Sequence, residues 1–304
     1  MTHQQPPADL VTRHLVTEGS AFSLDACDPR DTGEVPDKKV ARRLLEQLLD
    51  RLREQQQTLY AQDRWAVLLI FQAMDAAGKD SAIRNVMSGV NPQGCQVFSF
   101  KAPSSEELDH DYLWRHARAL PERGRIGIFN RSWYEEVLVV RVHGELLARQ
   151  KLPASLLGDR LWEERFEDIR GFERYLARNG VLIRKFFLHV SKEEQRQRFL
   201  DRLTEPEKHW KFSARDVRER RHWSRYMAAY QDAIRATSAP WAPWLVIPAD
   251  RKWYTRLVIA AAVTDALESL RLAYPHPSPG ERHELEAART ELEQEAGSLP
   301  STPR

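Results

Sequence analysis

The most constraining feature of this chain is the junction at residues 67–81, where an apolar run ends in a turn of small residues. The sequence there is VLLIFQAMDAAGKDS, with Gly78 and Lys79 in the turn. A buried strand that enters a tight turn before a helix presents backbone N–H groups and a helix N-terminus to an anion. Lys79 would add a full positive charge beside a transferred phosphoryl group. The junction therefore predicts a phosphate-binding loop.

This turn departs from the P-loop pattern GxxxxGK[ST] at two positions. Ala73 stands in place of the first glycine and Asp80 in place of the hydroxyl residue, with Ser81 one position late. By itself the fragment is as compatible with a structural turn as with a phosphate loop. Asp75, a carboxylate inside the turn, favours phosphate binding, and so does a second motif further along the chain.

Composition excludes several classes of protein. The 304 residues would allow about two domains, or one α/β domain with insertions. The net charge of +2 gives no overall reason to expect a nucleic-acid or membrane-surface protein. Cys27 and Cys95 cannot form a disulfide framework, and the histidines lack metal-binding spacing. The chain shows neither a signal peptide nor a bilayer-spanning apolar stretch. We expect a cytoplasmic protein that binds neither nucleic acid nor a membrane.

Changes in composition predict three regions. Residues 1–36 are rich in Pro, Asp, Thr and Gly and predict an irregular arm. From Asp37 onward, apolar residues at helical spacing predict a long amphipathic helix that leads into a domain at 37–273. Residues 274–304 begin with a Pro-rich linker and continue as an acidic segment, which we expect to be flexible and dispensable.

Apolar runs separated by helical patterns predict the fold. The helical patterns have capping signals, such as Ser104 with Glu107 and Ser191 with Glu194. This alternation indicates an α/β fold with a central parallel sheet and helices on both faces, which would bind ligands at the carboxyl ends of its strands. The predicted buried strands are 66–71, 95–100, 126–129, 181–190 and 244–247.

The second motif, NRSWYEE at 130–136, directly follows the predicted strand at 126–129. Arg131 offers a planar fork for phosphate oxygens, while Asn130 and the carboxylates could orient a hydrated magnesium ion. In isolation the motif also fits packed aromatic rings with solvated charges. Beside a phosphate loop, binding is the favoured interpretation. Lys101, just past another predicted strand, is a further candidate for phosphate.

Residues 184–225 concentrate positive charge. They contain thirteen Lys and Arg against seven Asp and Glu, a net +6, while the whole chain is only +2. Such a stretch can be a solvated helical face with internal ion pairs. Its position after the strand at 181–190, where P-loop kinases carry a lid, instead favours a helical lid at about 192–240 that binds a polyanion. The candidate cations are Arg198, Arg202, Lys208 and Lys211.

Four segments within about 60–273 stand out together: RWAVLLIFQAMDAAGKD (64–80), NPQGCQVFSFKAPSSEELDHDYLWR (91–115), IGIFNRSWYEEVLVVRVH (126–143) and EPEKHWKFS (205–213). Taken together, they resemble the polyphosphate kinase 2 family. The resemblance implies a P-loop kinase-like, three-layer fold and magnesium-dependent phosphoryl transfer between inorganic polyphosphate and a nucleoside mono- or diphosphate, with manganese as a substitute metal. Asn130, where other members carry aspartate, resembles the branch that acts on both AMP and ADP.

Carried over position by position, the resemblance implies roles for individual residues. Asp75 would be a magnesium ligand or a base, and Lys79 would stabilise charge on the transferred group. Arg131, with Asn130, would hold the acceptor phosphates. Either Glu135 or Glu136 would place metal or nucleotide. A homo-oligomer is also implied. The expected substrate-binding residues are Ala76, Ala77, Gly78, Asp80, Ser81, Lys101, Asn130, Tyr134, Glu135, Glu136, Arg198, Arg202, Lys208 and Lys211.

Two alternatives remain open from the sequence. An ATP-dependent P-loop nucleotide kinase would use the same loop, lid and magnesium, and it predicts a pocket for two nucleosides. A non-catalytic polyphosphate-binding protein would use the altered loop to hold anions without transferring them. It predicts that replacing Lys79 weakens binding, with no turnover to lose.

Overall fold

The computed structural model describes residues 9–298, apart from the side chains of Lys211 and of residues 296–298. Within this range the chain divides into two compact units, 9–272 and 273–298. The second unit contains helix α10 (Pro279–Ser298), whose described side chains are exposed. None of the helices in the described range is both long and apolar enough to cross a membrane.

The first unit alternates strands with helices. Short segments of 3-10 helix and a π-helical segment at Glu136–Val140 lie between them. The strands are β1 (Leu15–Val16), β2 (Ala66–Ala73), β3 (Cys95–Ser99), β4 (Ile126–Asn130), β5 (Val181–His189) and β6 (Trp244–Pro248). The helices are α1 (Lys38–Gln62), α2 (Lys79–Val86), α3 (Ser105–Leu108), α4 (Trp114–Ala117), α5 (Leu161–Arg178), α6 (Lys192–Thr204), α7 (Ala214–Glu219), α8 (Trp223–Thr237) and α9 (Lys252–Ser269).

The strands form one six-stranded sheet in the order β1-β6-β5-β2-β4-β3. All neighbouring strands are parallel except β1, which pairs with β6 in the antiparallel direction. Helices α1 and α2 both pack against α9, α5 packs against α8, and every residue of the central strand β2 is buried. The predicted α/β fold with helices on both faces is confirmed. Two residues within an irregular arm carry no periodic pattern from which β1 could be predicted.

One predicted buried strand is less covered than expected. Strand β3 lies at the edge of the sheet and has a neighbour only on the side of β4. Its Val97 side chain is 54% exposed. An apolar run shows that a strand forms, but the position of the strand in the sheet determines how much of it is covered. The expectation that 95–100 is buried was therefore wrong.

Helix α1 begins where the sequence predicts. The Asp37 carboxylate accepts hydrogen bonds from the backbone N–H groups of Lys39 and Val40, which satisfies two donors at the helix start. Leu44, Leu48, Leu52 and Leu59 are buried, and the helix packs against α9. The apolar stripe of α1 is therefore part of the core of the first unit.

An ion pair lies in the core between β5 and α5. The Lys185 ammonium, which is completely buried, lies 2.6 Å from the carboxylate of Glu173. It also donates to the Tyr134 hydroxyl at 3.0 Å and to the carbonyl of Thr237 at 2.8 Å. All three donors of the ammonium are thus satisfied, which a buried charge requires. Through these contacts, the pair connects the segment after β4, which contains Tyr134, to helices α5 and α8.

Removing one member of this pair should destabilise the protein strongly. Lys185→Met leaves the Glu173 carboxylate buried without its counter-charge, and we expect the free energy of unfolding to fall by about 3–5 kcal/mol. The double variant Lys185→Met/Glu173→Leu removes both charges and should lose less. Urea denaturation of the three proteins measures both changes. A single variant as stable as the wild type would show that the pair does not act as described.

Candidate functional site

The site lies where β2 and β4 end side by side. These strands are parallel, and Phe71 is paired with Asn130 at the carboxyl end of the ladder. The backbone N–H of Arg131 then donates to the carbonyl of Phe71 at 3.0 Å. The phosphate loop after β2 and the NRSWYEE motif after β4 therefore meet at one edge of the sheet, as expected for ligand sites of parallel sheets.

The loop after β2 adopts the conformation of an anion-binding turn. Gly78 has a φ of +106°, which suits glycine, and α2 begins at the next residue. Ala76 is also left-handed, with a φ of +61°. A non-glycine residue in this region is uncommon and needs support from its surroundings. The turn and the first residues of α2 line a cleft, and a helix N-terminus there favours an anion.

Lys79 is buried at the base of this loop, and its Nζ donates to the carbonyl of Ala73 at 3.0 Å. Burial, together with the nearby positive charge of Arg131, lowers the pKa of Lys79 to about 8. The carboxylates of Asp75, Glu135 and Asp80 oppose this shift in pKa but do not cancel it. An incoming phosphate would stabilise the charged form of this side chain.

Arg131 connects the loop to the second motif. Its guanidinium donates to Glu135 at 2.9 Å and to Asp75 at 3.1 Å. These two carboxylates, Glu135 first, raise the pKa of Arg131 despite its burial. Arg131 also has a left-handed backbone, with a φ of +68°. Strained backbone conformations therefore occur in both loops of the site, where the surrounding contacts hold them.

The two departures from the P-loop pattern have structural counterparts. Asp80, in the position of the usual hydroxyl residue, accepts a hydrogen bond from the Asn130 side chain at 2.7 Å. Ser81 instead turns back and donates to the carbonyl of Gly78 at 3.1 Å. The position after Lys79 thus links the loop to the end of β4, a role that a serine or threonine there would not fill in the same way.

Helix α6 holds the loop from outside. The amide of Gln195 donates to the carbonyl of Asp75 at 2.8 Å. Arg198 is buried, and its five N–H donors are directed at acceptors within the protein. Its partners are the Glu194 carboxylate and the carbonyls of Ala76, Ala77, Ala249 and Asp250. Arg198 therefore positions the loop, a correction to its expected role in binding substrate.

A cleft of about 460 Å³ opens over the loop. It is bounded by the loop, the end of β4, helices α6 and α7, the segment between them, and the start of α9. Its lining combines backbone of the loop with several cations. The lining residues are Met74, Asp75, Ala76, Ala77, Gly78, Lys79, Asp80, Ser81, Asn130, Arg131, Arg198, Asp201, Arg202, Lys208, Trp210, Asp216 and Lys252. We call this the loop cleft.

A second cleft, of about 420 Å³, adjoins the first, and the two share Asp75, Arg131 and Asp216. Its lining contains more large apolar side chains than that of the loop cleft, where Met74 and Trp210 are the large ones. The remaining lining residues are Phe100, Lys101, Ala102, Pro103, Leu108, Arg115, Glu135, Val139, Val140, Leu146, Arg149, Gln150, Arg215, Glu219 and Tyr226. We call this the mixed cleft. The Asp75–Arg131 ion pair lies at the junction of the two.

Two residues expected to bind substrate line neither cleft. Tyr134 is completely buried, and its hydroxyl donates to Glu173 at 2.8 Å. Glu136 is also buried and accepts hydrogen bonds from Gln150 at 2.6 Å and Arg165 at 3.2 Å. Neither side chain faces the loop cleft or the mixed cleft, so both expectations were wrong. The choice between Glu135 and Glu136 falls on Glu135, which lines the mixed cleft.

The predicted lid, 192–240, corresponds to α6, α7, α8 and the turns between them. Arg202 and Lys208 line the loop cleft, but each has a nearby carboxylate. Arg202 lies 3.8 Å from Asp216, and Lys208 lies 2.6 Å from Glu205. The side chain of Lys211 lies outside the described part of the chain. Both of these candidate cations therefore have part of their charge balanced by a carboxylate.

The sequence interpretation did not single out several cations that line the clefts. Lys252 follows β6 closely, so the position of ligands at the carboxyl ends of parallel strands could have indicated it. Arg115 ends one of the segments that carry the family resemblance, and it lines the mixed cleft. Arg215 lies within the predicted lid but was not among its candidate cations, and Arg149 carries no comparable signal, because only the folding of the chain brings its segment to the cleft.

The acidic groups at the junction fit a metal that arrives with a phosphate ligand. Among the described residues there is no group of three or more His, Cys, Asp or Glu side chains that could hold a metal ion by itself. Mg²⁺, however, is usually bound through one or two carboxylates plus phosphate oxygens and water. Asp75 at the junction, with Asp216 near enough to have its pKa raised by burial and by the Asp75 charge, supplies such carboxylates.

The pKa of Lys79 predicts a pH dependence of phosphate binding. The ammonium attracts phosphate, so binding above the pKa must include uptake of a proton. We expect the dissociation constant for tripolyphosphate to be nearly constant below about pH 8 and to rise by up to about tenfold per pH unit above it.

Calorimetric titrations between about pH 7 and about pH 10 measure this effect, and Lys79→Arg is the matched control because arginine stays charged. Ionisation of tripolyphosphate affects wild type and Lys79→Arg equally, so the difference between their pH profiles reports Lys79 alone. Wild-type and Lys79→Arg affinities with the same pH dependence would contradict the assignment.

Three comparisons with known proteins agree with this geometry. A family model described as "Polyphosphate kinase 2 (PPK2)" matches residues 35–273. The chain is 54% identical over 278 residues to an ADP-polyphosphate phosphotransferase of Rhodopseudomonas palustris, covering 91% of this chain and 96% of that protein. It is 46% identical over 266 residues to an AMP/ADP-polyphosphate phosphotransferase of Meiothermus ruber, covering 87% and 96%.

Solved structures are also similar. The crystal structure of polyphosphate kinase 2 from Arthrobacter aurescens matches with a TM-score of 0.80 and 40% sequence identity, covering 90% of this chain and 95% of that one. The family match extends from just before α1 to just after α9, so it includes both clefts and every strand except β1. The chain belongs to the polyphosphate kinase 2 family.

Proposed function

We propose that this protein transfers a phosphoryl group between inorganic polyphosphate and a nucleoside mono- or diphosphate. The observation that carries the proposal is the meeting of two clefts at Asp75 and Arg131, next to the buried Lys79. A phosphoryl transfer needs a donor and an acceptor aligned across one point of concentrated positive charge. Relatives named as polyphosphate phosphotransferases support the same reaction.

The chemistry of the two linings suggests which substrate each cleft binds. The loop cleft offers backbone N–H groups, a helix N-terminus and cations, which suit a chain of phosphates without any apolar part. The mixed cleft adds Phe100, Val139 and Leu146, which can cover a nucleobase, to Lys101, Arg149 and Arg215, which can bind its phosphates. We therefore place polyphosphate in the loop cleft and the nucleotide in the mixed cleft.

In this arrangement the protein aligns the reactants and stabilises charge. Lys79 and the backbone of the loop bind oxygens of the transferred group, and Arg131 faces both substrates from the junction. Arg198 and Gln195 keep the loop in shape. Such a site requires no covalent intermediate, because a loose phosphoryl-transfer transition state is stabilised mainly by positioning and electrostatics.

We propose magnesium as the metal cofactor, with manganese as a substitute. Asp75 would hold the ion, and Asp216 could approach it from the lid, while substrate phosphates and water complete the coordination. The metal would neutralise negative charge on the transferred phosphoryl group. The Asp75 carboxylate, with Asp216 nearby, suits magnesium, which is usually bound through one or two carboxylates and tends to keep several of its waters.

For the acceptor, we propose both AMP and ADP. Asn130 supports this choice through the family resemblance, and the relative from Meiothermus ruber is named for both nucleotides. The relative from Rhodopseudomonas palustris is named for ADP alone.

The two free thiols, Cys27 and Cys95, are compatible with a reducing cytoplasm, which we propose as the location. A homo-oligomer stays a prediction.

The function is tested with the purified protein, long-chain polyphosphate, magnesium and either AMP or ADP. We expect ADP and ATP to form from AMP, and ATP to form from ADP. A reaction with ATP and AMP but no polyphosphate is the control. Product only in that control would support an ATP-dependent nucleotide kinase, and no product in any reaction would support a polyphosphate-binding protein.

Asp75→Asn and Lys79→Ala should lower turnover by at least about a hundredfold with the fold retained.

A variant of the mixed cleft tests the assignment of the two substrates. Lys101 is exposed and lines only the mixed cleft. Lys101→Ala should raise the KM for the nucleotide by about two- to fivefold, because one solvent-accessible charge contact is lost. The KM for polyphosphate should not change, and Lys101→Arg should behave like the wild type. A change in the KM for polyphosphate instead would reverse the assignment.

A further inference from the structure

A row of cations leads away from the loop cleft on the side of α9. Lys252, the first residue of α9, lines the cleft. Arg256 lies four residues later, slightly more than one helical turn and about 6 Å along the axis. Helix α2 packs against α9 and carries Arg84 in its last turn. We call Lys252, Arg256 and Arg84 the cation row.

These three side chains differ from the cations of the lid. Arg198, Lys208 and Arg202 are each close to a carboxylate. Within residues 9–298, by contrast, none of the members of the cation row forms an ion pair, although Arg256 is only partly exposed. The Nε of Arg256 is moreover buried and has no hydrogen-bond partner in the described part of the chain.

The row is also electrostatically unfavourable in the absence of a ligand. Partial burial and the charges of Arg198, Lys208 and Arg256 lower the pKa of Lys252. Burial and the charge of Arg84 lower the pKa of Arg256 in the same way. The one carboxylate that opposes the shift at Lys252 is Glu194, which is already hydrogen-bonded to Arg198. Neighbouring like charges without counter-charges favour binding of an anion that spans them.

We propose that the cation row binds the distant phosphates of a polyphosphate chain whose reacting end lies in the loop cleft. This inference rests on the proposed function and adds a path for the polymer beyond the reacting site. Row and cleft are continuous, because Lys252 belongs to both. A long polyanion would extend from Lys252 past Arg256 to Arg84, whereas a chain of three phosphates would end within the cleft.

The length of the donor therefore distinguishes this row from the reacting site. Contacts of distant phosphates add binding energy for a long chain without changing the geometry of the transferred group. Such contacts lower the KM for the donor and leave kcat unchanged. The row should thus make long-chain polyphosphate a better donor than tripolyphosphate.

The test uses the full-length double variant Arg84→Ala/Arg256→Ala, which leaves every residue that lines the clefts in place. We expect its KM for long-chain polyphosphate to rise by about three- to tenfold, as for the loss of two partly exposed charge contacts. Its KM for tripolyphosphate and its kcat with either donor should equal those of the wild type.

The matched control is Arg64→Ala/Arg178→Ala. It removes the same charge from two exposed arginines that precede β2 and β5, at the edge of the sheet opposite the site. We expect this control to have wild-type kinetics with both donors. If it weakens the use of long chains equally, overall charge and not the row is responsible, and the proposal fails.

Two other results would overturn the proposal. An unchanged KM for long chains in Arg84→Ala/Arg256→Ala would show that the polymer leaves the cleft elsewhere. An equal loss with both donors would show that these arginines support the loop instead.

Calorimetric binding of long-chain polyphosphate and tripolyphosphate, without nucleotide, separates this inference from the proposed function. If the wild type forms no product, the proposed function fails, but the binding comparison still decides whether the row holds long chains. Weaker binding of only the long chain by Arg84→Ala/Arg256→Ala supports the row, and equal binding of both polyphosphates by variant and wild type excludes it.

Discussion

The parallel pairing of β2 with β4 determines where the charged groups of the two central loops lie. Because Phe71 is paired with Asn130, the two loops begin at the same level, and the Arg131 guanidinium reaches the carboxylate of Asp75. That ion pair marks the junction of the two clefts. A shift of the ladder by one residue would reverse the direction of the side chains of β4 and separate the pair. The register of one pair of strands thus brings donor and acceptor to a common point.

Cations near the site serve two distinct purposes, and hydrogen bonding distinguishes them. Arg198 and Lys185 donate only to acceptors within the protein, so they hold the loop and the core in place. Arg131 shares its fork between two carboxylates but remains at the surface of both clefts. A count of charges along the chain treats these groups alike. Only the number of donors left for a ligand shows which of them can bind phosphate.

The fold and the loop were predictable because both depend on short-range patterns. Apolar runs located all five parallel strands, and the helical spacing of apolar residues from Asp37 onward located α1. For the NRSWYEE motif, the sequence did not predict which side chains face the cleft. Arg131 and Glu135 face the mixed cleft, whereas Tyr134 and Glu136 are buried among other side chains. Adjacent residues of a helical turn point in different directions, so proximity in sequence does not imply a common site.

The sequence by itself determined the α/β fold, the phosphate loop and the residues at the ends of β2 and β4. These features arise from periodicity and from strand–turn–helix junctions, which a few consecutive residues encode. The tertiary structure alone decided that Glu135 and not Glu136 lines the mixed cleft. It also decided that Arg198 holds the phosphate loop and that Lys252 lines the loop cleft. Burial and hydrogen-bond partners decide such roles, and the partners come from segments that only folding brings together.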